Sequence, residues 1–323
     1  MWGLEMSRGG ESAAGSEVDK GESVDAGLRC RRKYTAVVER LRRCGLVRFT
    51  LQRRADVGIF AVWKKSGKQR LILDARHANE WFSEADEVRL ATGAAMSCIE
   101  VDDGAPVFLG QVDIADAFYN LALPSDLHDL FCLPKVRAGE FDLETADGKK
   151  VRATDWVYPA FIAFPMGFKD AMSICQQVQE ARVVGLAGLG SDNQLVDKRK
   201  APSMTPLIHT EYVDNFIAFS QNEEAATSAA ELVNESMTKV GLPTHGVEVT
   251  RGGQALGWSF DEGEPVMRPT PRRLWRIRLG VEALLERGWA SGKELEIIVG
   301  HLTFALLLRR EMLSIMGAVY PFI

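Results

Sequence analysis

The sequence predicts an α+β fold, on three observations. Segments of strand and helix character are mixed along the chain without the regular spacing of βαβ units. The candidate strands are short, apolar and bounded by turn residues, as in "GIFAVWKKSGKQRLILDAR" and "HTEYVDNFIAFS". From Pro271 onward the pattern turns wholly helical. The chain has 323 residues, enough for one large domain or two to three subdomains with their own cores. No internal repeat is visible.

Residues 1 to about 27 are rich in Gly, Ser, Glu and Ala and poor in aromatics, the composition of a disordered tail. Tyr34–Leu46 has helical spacing, with Val37, Val38 and Leu41 apolar and Gly45 at its end. Two strands follow around a Lys-Ser-Gly-Lys turn. "PVFLGQVDIADAFYNLAL" reads as a strand running into a short turn or helix, and "FDLETADGKKVRATDWVY" as a hairpin turning at Asp147-Gly148. "FKDAMSICQQVQEARVVGL" is a helix, and "AGLGSDNQLVDKRKAPSMTP" a polar loop. Next comes the His209–Ser220 hairpin, whose two apolar arms flank an Asp214-Asn215 tip. "NEEAATSAAELVNESMTKVGL" is a helix stopped by Gly241 and Pro243, and "QALGWSF" is a strand. "PRRLWRIRLGVEALLERG" and "SGKELEIIVGHLTFALLLRREMLSIM" are the closing helices.

The net charge of −5 does not advertise a polyanion partner, but it hides a strong asymmetry. Between Arg29 and Arg54 there are ten basic residues against the single acid Glu39, and Arg268–Arg278 carries a second basic stretch. Either cluster can neutralise phosphates or form a solvated face. Five widely spaced cysteines, without a C-x-x-C, point to reduced thiols in an intracellular protein and away from a zinc site. The start of the chain has no apolar h-region. The most apolar run, "IIVGHLTFALLL", is short, contains His301 and stops at Arg309-Arg310, so no membrane association is expected.

Two acids stand out by context. Asp113 ends an apolar strand and Asp214 sits at a hairpin tip, about a hundred residues later. Rigid elements that aim carboxylates at one point are what a metal site needs. Taken separately, each has a plainer role: Asp113 or Asp116 caps the following turn, and Asp214 is a turn residue.

The order of motifs adds to this. The chain reads "VWKKSGKQRLILDARHAN", "VDIADAFYNL", "FPMGFKDAMS", "YVDNF" and "LGWSFD", which resembles the reverse transcriptases of retroelements, closest to those of retrotransposons. The resemblance covers roughly residues 55–323. It implies a right-hand polymerase fold with fingers, an antiparallel-sheet palm and a helical thumb. The boundaries expected are a basic tail at 1–33, fingers and palm at 34–263, and the thumb with the start of a connection at 264–323. The implied reaction is RNA-directed DNA synthesis, in which a primer 3′-hydroxyl attacks the α-phosphate of a dNTP on an RNA or DNA template. The implied cofactor is a pair of Mg²⁺ ions, with Mn²⁺ able to substitute; polymerases are among the standard cases of two-metal sites.

On this resemblance Asp113 bridges both ions, Asp214 is the second carboxylate, and the carbonyl of Ile114 completes the nucleotide-side metal. Asp116 lies beside the triphosphate pocket or caps the turn. Phe118 matches the bulky gate under the sugar that excludes a 2′-hydroxyl; its plainer reading is a core aromatic. Lys65 and Arg70 match the pair that clamps the triphosphate, although the variable length of this turn leaves Lys64 open as the match. Asp74, Arg76 and Asn79 match residues that organise fingers and template. Gly167 lets the backbone approach the nucleotide layer, and Met166 stands where the family usually has Gln. Leu256-Gly257-Trp258 resembles the primer-grip strand, with Trp258 alternatively core.

Two departures from the family pattern stand out. "GLPTHGVEV" lacks the Lys that often follows the palm's second helix, and has His245 nearby. Asn215 replaces the second Asp of the Y-x-D-D motif. Its amide oxygen can still ligate Mg²⁺, and Mg²⁺ needs only one or two carboxylates plus substrate phosphates, so a weakened or differently tuned site is expected. The alternative is a catalytically weak or inactive, domesticated nucleic-acid-binding protein. Further retroelement domains (RNase H, integrase or recombinase) are expected outside this chain as partners.

Overall fold

The computed structural model describes residues 29–63, 67, 69–84, 87–102, 104–204 and 206–322. The expected disordered tail lies almost wholly outside the described residues, as do Lys64 and Lys65. Along the chain the helices are α1 (Arg31–Arg43), α2 (Arg76–Asn79), α3 (Gly93–Met96), α4 (Ala171–Gly185), α5 (Glu223–Lys239), α6 (Pro271–Arg287) and α7 (Gly292–Leu306). The first eight strands are β1 (Val47–Thr50), β2 (Gly58–Trp63), β3 (Gln69–Asp74), β4 (Phe108–Ile114), β5 (Val136–Arg137), β6 (Thr145–Ala146), β7 (Lys149–Lys150) and β8 (Trp156–Phe161). The remaining six are β9 (Ile208–Tyr212), β10 (Asn215–Ser220), β11 (Thr244–Arg251), β12 (Gly253–Ala255), β13 (Trp258–Phe260) and β14 (Met267–Pro269). The chain divides into two compact units, one of residues 1–86 and 116–175, the other of 87–115 and 176–323.

In the first unit, β1, β8 and β5 form an antiparallel sheet in the order β1-β8-β5, and β2 pairs with β3. The helix expected from Tyr34 starts three residues earlier, at Arg31. It buries Tyr34, Val38 and Leu41, and the chain turns away through Gly45 at φ 67°. The expected Asp147-Gly148 turn joins β6 to β7 with both residues at positive φ, the geometry of a two-residue hairpin. The core centres on Phe131, Leu133, Val157 and Phe161, all fully buried.

In the second unit, one antiparallel sheet runs β11-β4-β10-β9. α5 packs on it through Ala226, Ala229, Ala230, Val233 and Met237, its first turn capped by the Asn222 side chain. Close approach fixes the small residue beneath: a Cβ on Gly110 of β4 would lie 2.3 Å from the carbonyl oxygen of Ala226. A smaller sheet, β12-β13-β14, places Trp258 in a second core with its ring stacked on Phe304 of α7 at 4.5 Å.

Three sequence expectations change here. "QALGWSF" is a hairpin, not one strand: Leu256 (φ 50°) and Gly257 (φ 85°) form the turn between β12 and β13. "THGVEVTR" is a strand that sequence reading passed over, because its exposed edge carries no regular alternation. The last helix ends at Leu306, and Arg310–Ala318 continues as 3₁₀ turns. All five cysteines are free thiols, and burial pushes the Cys132 thiol up to about 12, leaving it protonated and unreactive. Among the described residues no helix is long and apolar enough to cross a membrane.

Candidate active site

The second unit brings Asp113, Asp214 and Asn215 together at one end of its large sheet. Asn215 lies opposite Asp113 in the β10–β4 register, and directly opposite residues share a face. The Ile114 amide donates to the Asp214 carbonyl at 2.9 Å, tying the strand end to the hairpin tip. Asp113 is about half exposed, and Nε2 of His245 approaches its Oδ2 at 4.0 Å. The Asn215 side-chain nitrogen donates to Oδ1 of Asp214 at 2.9 Å. The amide group therefore already engages the carboxylate, leaving its oxygen as the atom it can offer a cation.

The tip is strained. Val213 sits at φ 60°, while Asn215 pairs with Tyr212 across a two-residue loop. A β-branched residue at positive φ is a real outlier, of the kind held only when its surroundings over-determine it. Those surroundings are a buried polar network. Oε1 of Gln176, from α4, accepts from the Val213 amide at 2.7 Å, and its Nε2 donates to the Glu211 carbonyl at 3.1 Å. The Glu211 carboxylate receives Nε2 of Gln194 at 2.7 Å and contacts Nδ1 of His209 at 2.8 Å. Nε2 of His209 meets the carbonyl of Gly190 at 3.0 Å. Both imidazole nitrogens thus face oxygen atoms, an arrangement that favours the doubly protonated ring. Burial opposes that charge, but the Glu211 hydrogen bond and charge outweigh it and raise the His209 pKa. Sequence reading missed this network. The only available signal was a His and a Glu two residues apart inside a short strand, both pointing to one face.

This donor set fits Mg²⁺ better than a closed protein cage. Among the described residues no three His, Cys, Asp or Glu are grouped to hold a metal. Two carboxylates at a half-open strand end suit an ion that keeps waters and substrate phosphates as its other ligands.

The first unit holds several more of the sequence-nominated residues. Gly167 has φ 129°, and a Cβ there would lie 2.1 Å from the Leu73 carbonyl oxygen, so only glycine fits where β3 runs past. The neighbouring Met166 carbonyl accepts from the Leu73 amide at 3.0 Å. Asn79 clamps the same loop from both sides, donating to the Gly167 carbonyl at 3.0 Å and accepting from the Lys169 amide at 3.1 Å. Asp74 and Arg76 form a two-pronged ion pair at 2.8 and 2.6 Å. Arg70 is exposed on β3, opposite Val62. Asp116 has φ 47° and stands immediately before the turn Ala117–Asn120. Phe118 is half-buried against the core. The hydroxyl of its neighbour Tyr119 donates to the Leu71 carbonyl at 2.8 Å, and burial with the Asp116 charge pushes that hydroxyl's pKa upward.

The motif D-x-x-D-A-F straddles the boundary between the units, with Asp113 and Ile114 in one and Asp116 and Phe118 in the other. In the second unit, Leu256 and Gly257 occupy a hairpin tip rather than a strand, and Trp258 is 2% exposed, which supports its core reading.

No family model matches the chain, and no curated protein matches it. Solved structures do. A foamy viral protease-reverse transcriptase in complex with double-stranded DNA superposes with a TM-score of 0.58 at 14% identity, over 92% of this chain and 43% of that one. A second such structure with double-stranded DNA gives 0.55 at 16%, over 90% and 51%. One with an RNA/DNA hybrid gives 0.54 at 13%, over 88% and 32%. The chain thus spans about half or less of the length of these neighbours. At this identity the likeness establishes the architecture, and the chain has a reverse-transcriptase-like fold.

Proposed function

We propose that the chain is an RNA-directed DNA polymerase of a retrotransposon-type element, adding dNTPs to a primer 3′-hydroxyl on an RNA or DNA template. The observation that carries the reading is the Asp113–Asp214–Asn215 grouping at the end of an antiparallel sheet, in a chain with this fold. Asp113, Asp214, the Ile114 carbonyl and the Asn215 amide oxygen hold two Mg²⁺ ions, which when bound lower the pKa of the primer hydroxyl and neutralise phosphate charge. The hydroxyl attacks the α-phosphate and pyrophosphate leaves. Arg70 and Lys65 draw the triphosphate by charge, Arg through a fork of donors and Lys as a point charge. Asp116 borders the triphosphate. Phe118 excludes the 2′-hydroxyl by bulk. Met166 and Gly167 face the nucleotide and template base through backbone, since Met166 has no polar group to offer. Leu256, Gly257 and Trp258 hold the primer end. Fingers and palm then correspond to residues 34–263 and the thumb to 264–323, after a basic tail at 1–33. RNase H, integrase or recombinase domains are supplied outside this chain, and the protein works inside the cell.

A second reading, a non-catalytic nucleic-acid-binding protein, is favoured by one contact. The Asn215 amide donates to the carboxylate that a metal would need. Primer extension on an RNA template, in Mg²⁺ and in Mn²⁺, separates the two. The polymerase reading expects extension by the wild type, loss in Asp113→Ala and gain in Asn215→Asp. Extension unchanged in Asp113→Ala refutes the site, rNTPs used as readily as dNTPs refute the gate, and no extension even in Asn215→Asp selects the second reading.

A further inference from the structure

The outer face of the β1-β8-β5 sheet, in the first unit, carries aromatic rings and cations in an arrangement the polymerase reading does not use. Trp156 and Tyr158 alternate on β8, two residues apart, so both rings lie on one face about 6.6 Å apart along the strand. Arg137 lies opposite Trp156 in the register. Its guanidinium sits 3.6 Å from the centre of the indole ring, anchored by a hydrogen bond to the Thr154 carbonyl. The Lys135 ammonium is 5.1 Å from the same ring, and the Arg53 guanidinium 5.2 Å from the Tyr158 ring. Trp156 is 39% exposed.

The cations differ in what already neutralises them. Arg31, a third cation near Trp156, is paired with Glu140 at 2.7 Å, and Arg48 lies 3.5 Å from Asp147. Arg53, Lys135 and Arg137 meet the rings and, among the described residues, no carboxylate. The face therefore offers two aromatic rings among uncompensated cations, with the planar Arg137 guanidinium lying over the indole and itself a surface on which a base can stack. Stacking surfaces flanked by cations are the chemistry that holds unpaired bases and their phosphates, and a sheet face bearing aromatics is a recurring way to present it. A duplex, whose bases are stacked internally, has no use for the rings.

We propose that this sheet face binds single-stranded nucleic acid, with Trp156 and Tyr158 stacking bases and Arg53, Lys135 and Arg137 taking phosphates. The site shares no residue with the carboxylate grouping and is read without nucleotide or extension, so it stands whether or not the chain polymerises. The test is fluorescence anisotropy of a labelled oligo(rU) and of a blunt DNA duplex, with the full chain. Trp156→Ala is expected to weaken oligo(rU) binding about tenfold, Trp156→Phe to restore it to within about twofold, and duplex binding to stay within about twofold in both. Lys135→Ala with Arg137→Ala, both on exposed side chains, is expected to lower the salt slope of oligo(rU) binding by about one to two. Wild-type oligo(rU) affinity in Trp156→Ala, an equal loss on duplex, or no oligo(rU) binding by the wild type overturns the proposal, the last making this face a protein-docking surface instead.

Discussion

Gln176→Leu tests whether the strained tip is held from beneath. Leucine approximates the volume of glutamine but makes no hydrogen bonds, so the substitution strands the Val213 amide and the Glu211 carbonyl, bonded at 2.7 and 3.1 Å. Gln176 itself is 3% exposed, so water cannot readily replace it. Leaving a buried polar group unpaired costs about 1–3 kcal/mol. Relaxation of Val213 out of positive φ recovers part of this, since such strain is worth about 1–3 kcal/mol. Two such groups at about 2–6 kcal/mol, less about 1–3 kcal/mol of released strain, leave a net local destabilisation of roughly 1–3 kcal/mol. Hydrogen–deuterium exchange of a peptide spanning 208–216 reads it directly. At about 1.4 kcal/mol per decade, exchange at the tip is expected to accelerate by on the order of 5- to 140-fold. Gln177→Leu, on the exposed neighbour, is the control and should leave the peptide unchanged. Wild-type protection in Gln176→Leu, or equal acceleration in both variants, refutes the claim that Gln176 holds the tip.

Other outcomes follow from single contacts. Gly167→Ala drives a methyl to 2.1 Å from a backbone oxygen at φ 129°, so thermal unfolding should fall by several degrees while Gly185→Ala, in open space, should not lower it. The raised pKa of His209 means its charged pair with Glu211 contributes fully below the unfolded value of about 6.5 and is lost as pH rises through the folded value. Melting temperature should therefore decline with alkaline pH, and His209→Gln should flatten that decline. At Glu294 the sign is opposite: bonds from the Ser291 backbone and hydroxyl, and from Arg287, lower its pKa from 4.5 to about 2. The capping box of α7 contributes above pH 4.5 and is lost as pH falls toward 2, so far-ultraviolet dichroism should show a helix loss over that range that Glu294→Gln abolishes.

What was legible in the sequence had a local cause. The 209–220 hairpin, the Asp147-Gly148 turn and the α5 helix with its Gly241 stop are written in short-range pattern, and each formed where expected. The Leu256-Gly257 turn was missed because leucine rarely adopts positive φ, so an apolar run concealed it. The last helix was read too long because its apolar pattern continues past Leu306 while its geometry tightens. Asp113 and Asp214 were nominated by motif order, and the register of β4 with β10 brought them to one sheet end. Gln176 was not legible, since its role depends on where α4 passes beneath a hairpin some forty residues later.

β4 imposes an order on synthesis. It is an interior strand of its sheet, yet both neighbours come much later in the chain, β10 about a hundred residues on and β11 further still. Until they emerge, "FLGQVDI" has no partner on either edge. At about 5–20 residues per second, the ~140 residues from the end of β4 to the end of β11 take roughly 7–30 s. For that interval a nascent chain carries an apolar, hydrogen-bond-hungry strand exposed to its neighbours on the same message. Slow closure of such distant pairs also retards refolding. The yield of folded protein should therefore depend on translation speed and on chaperones that cover this segment, far more than on the stability of the finished sheet.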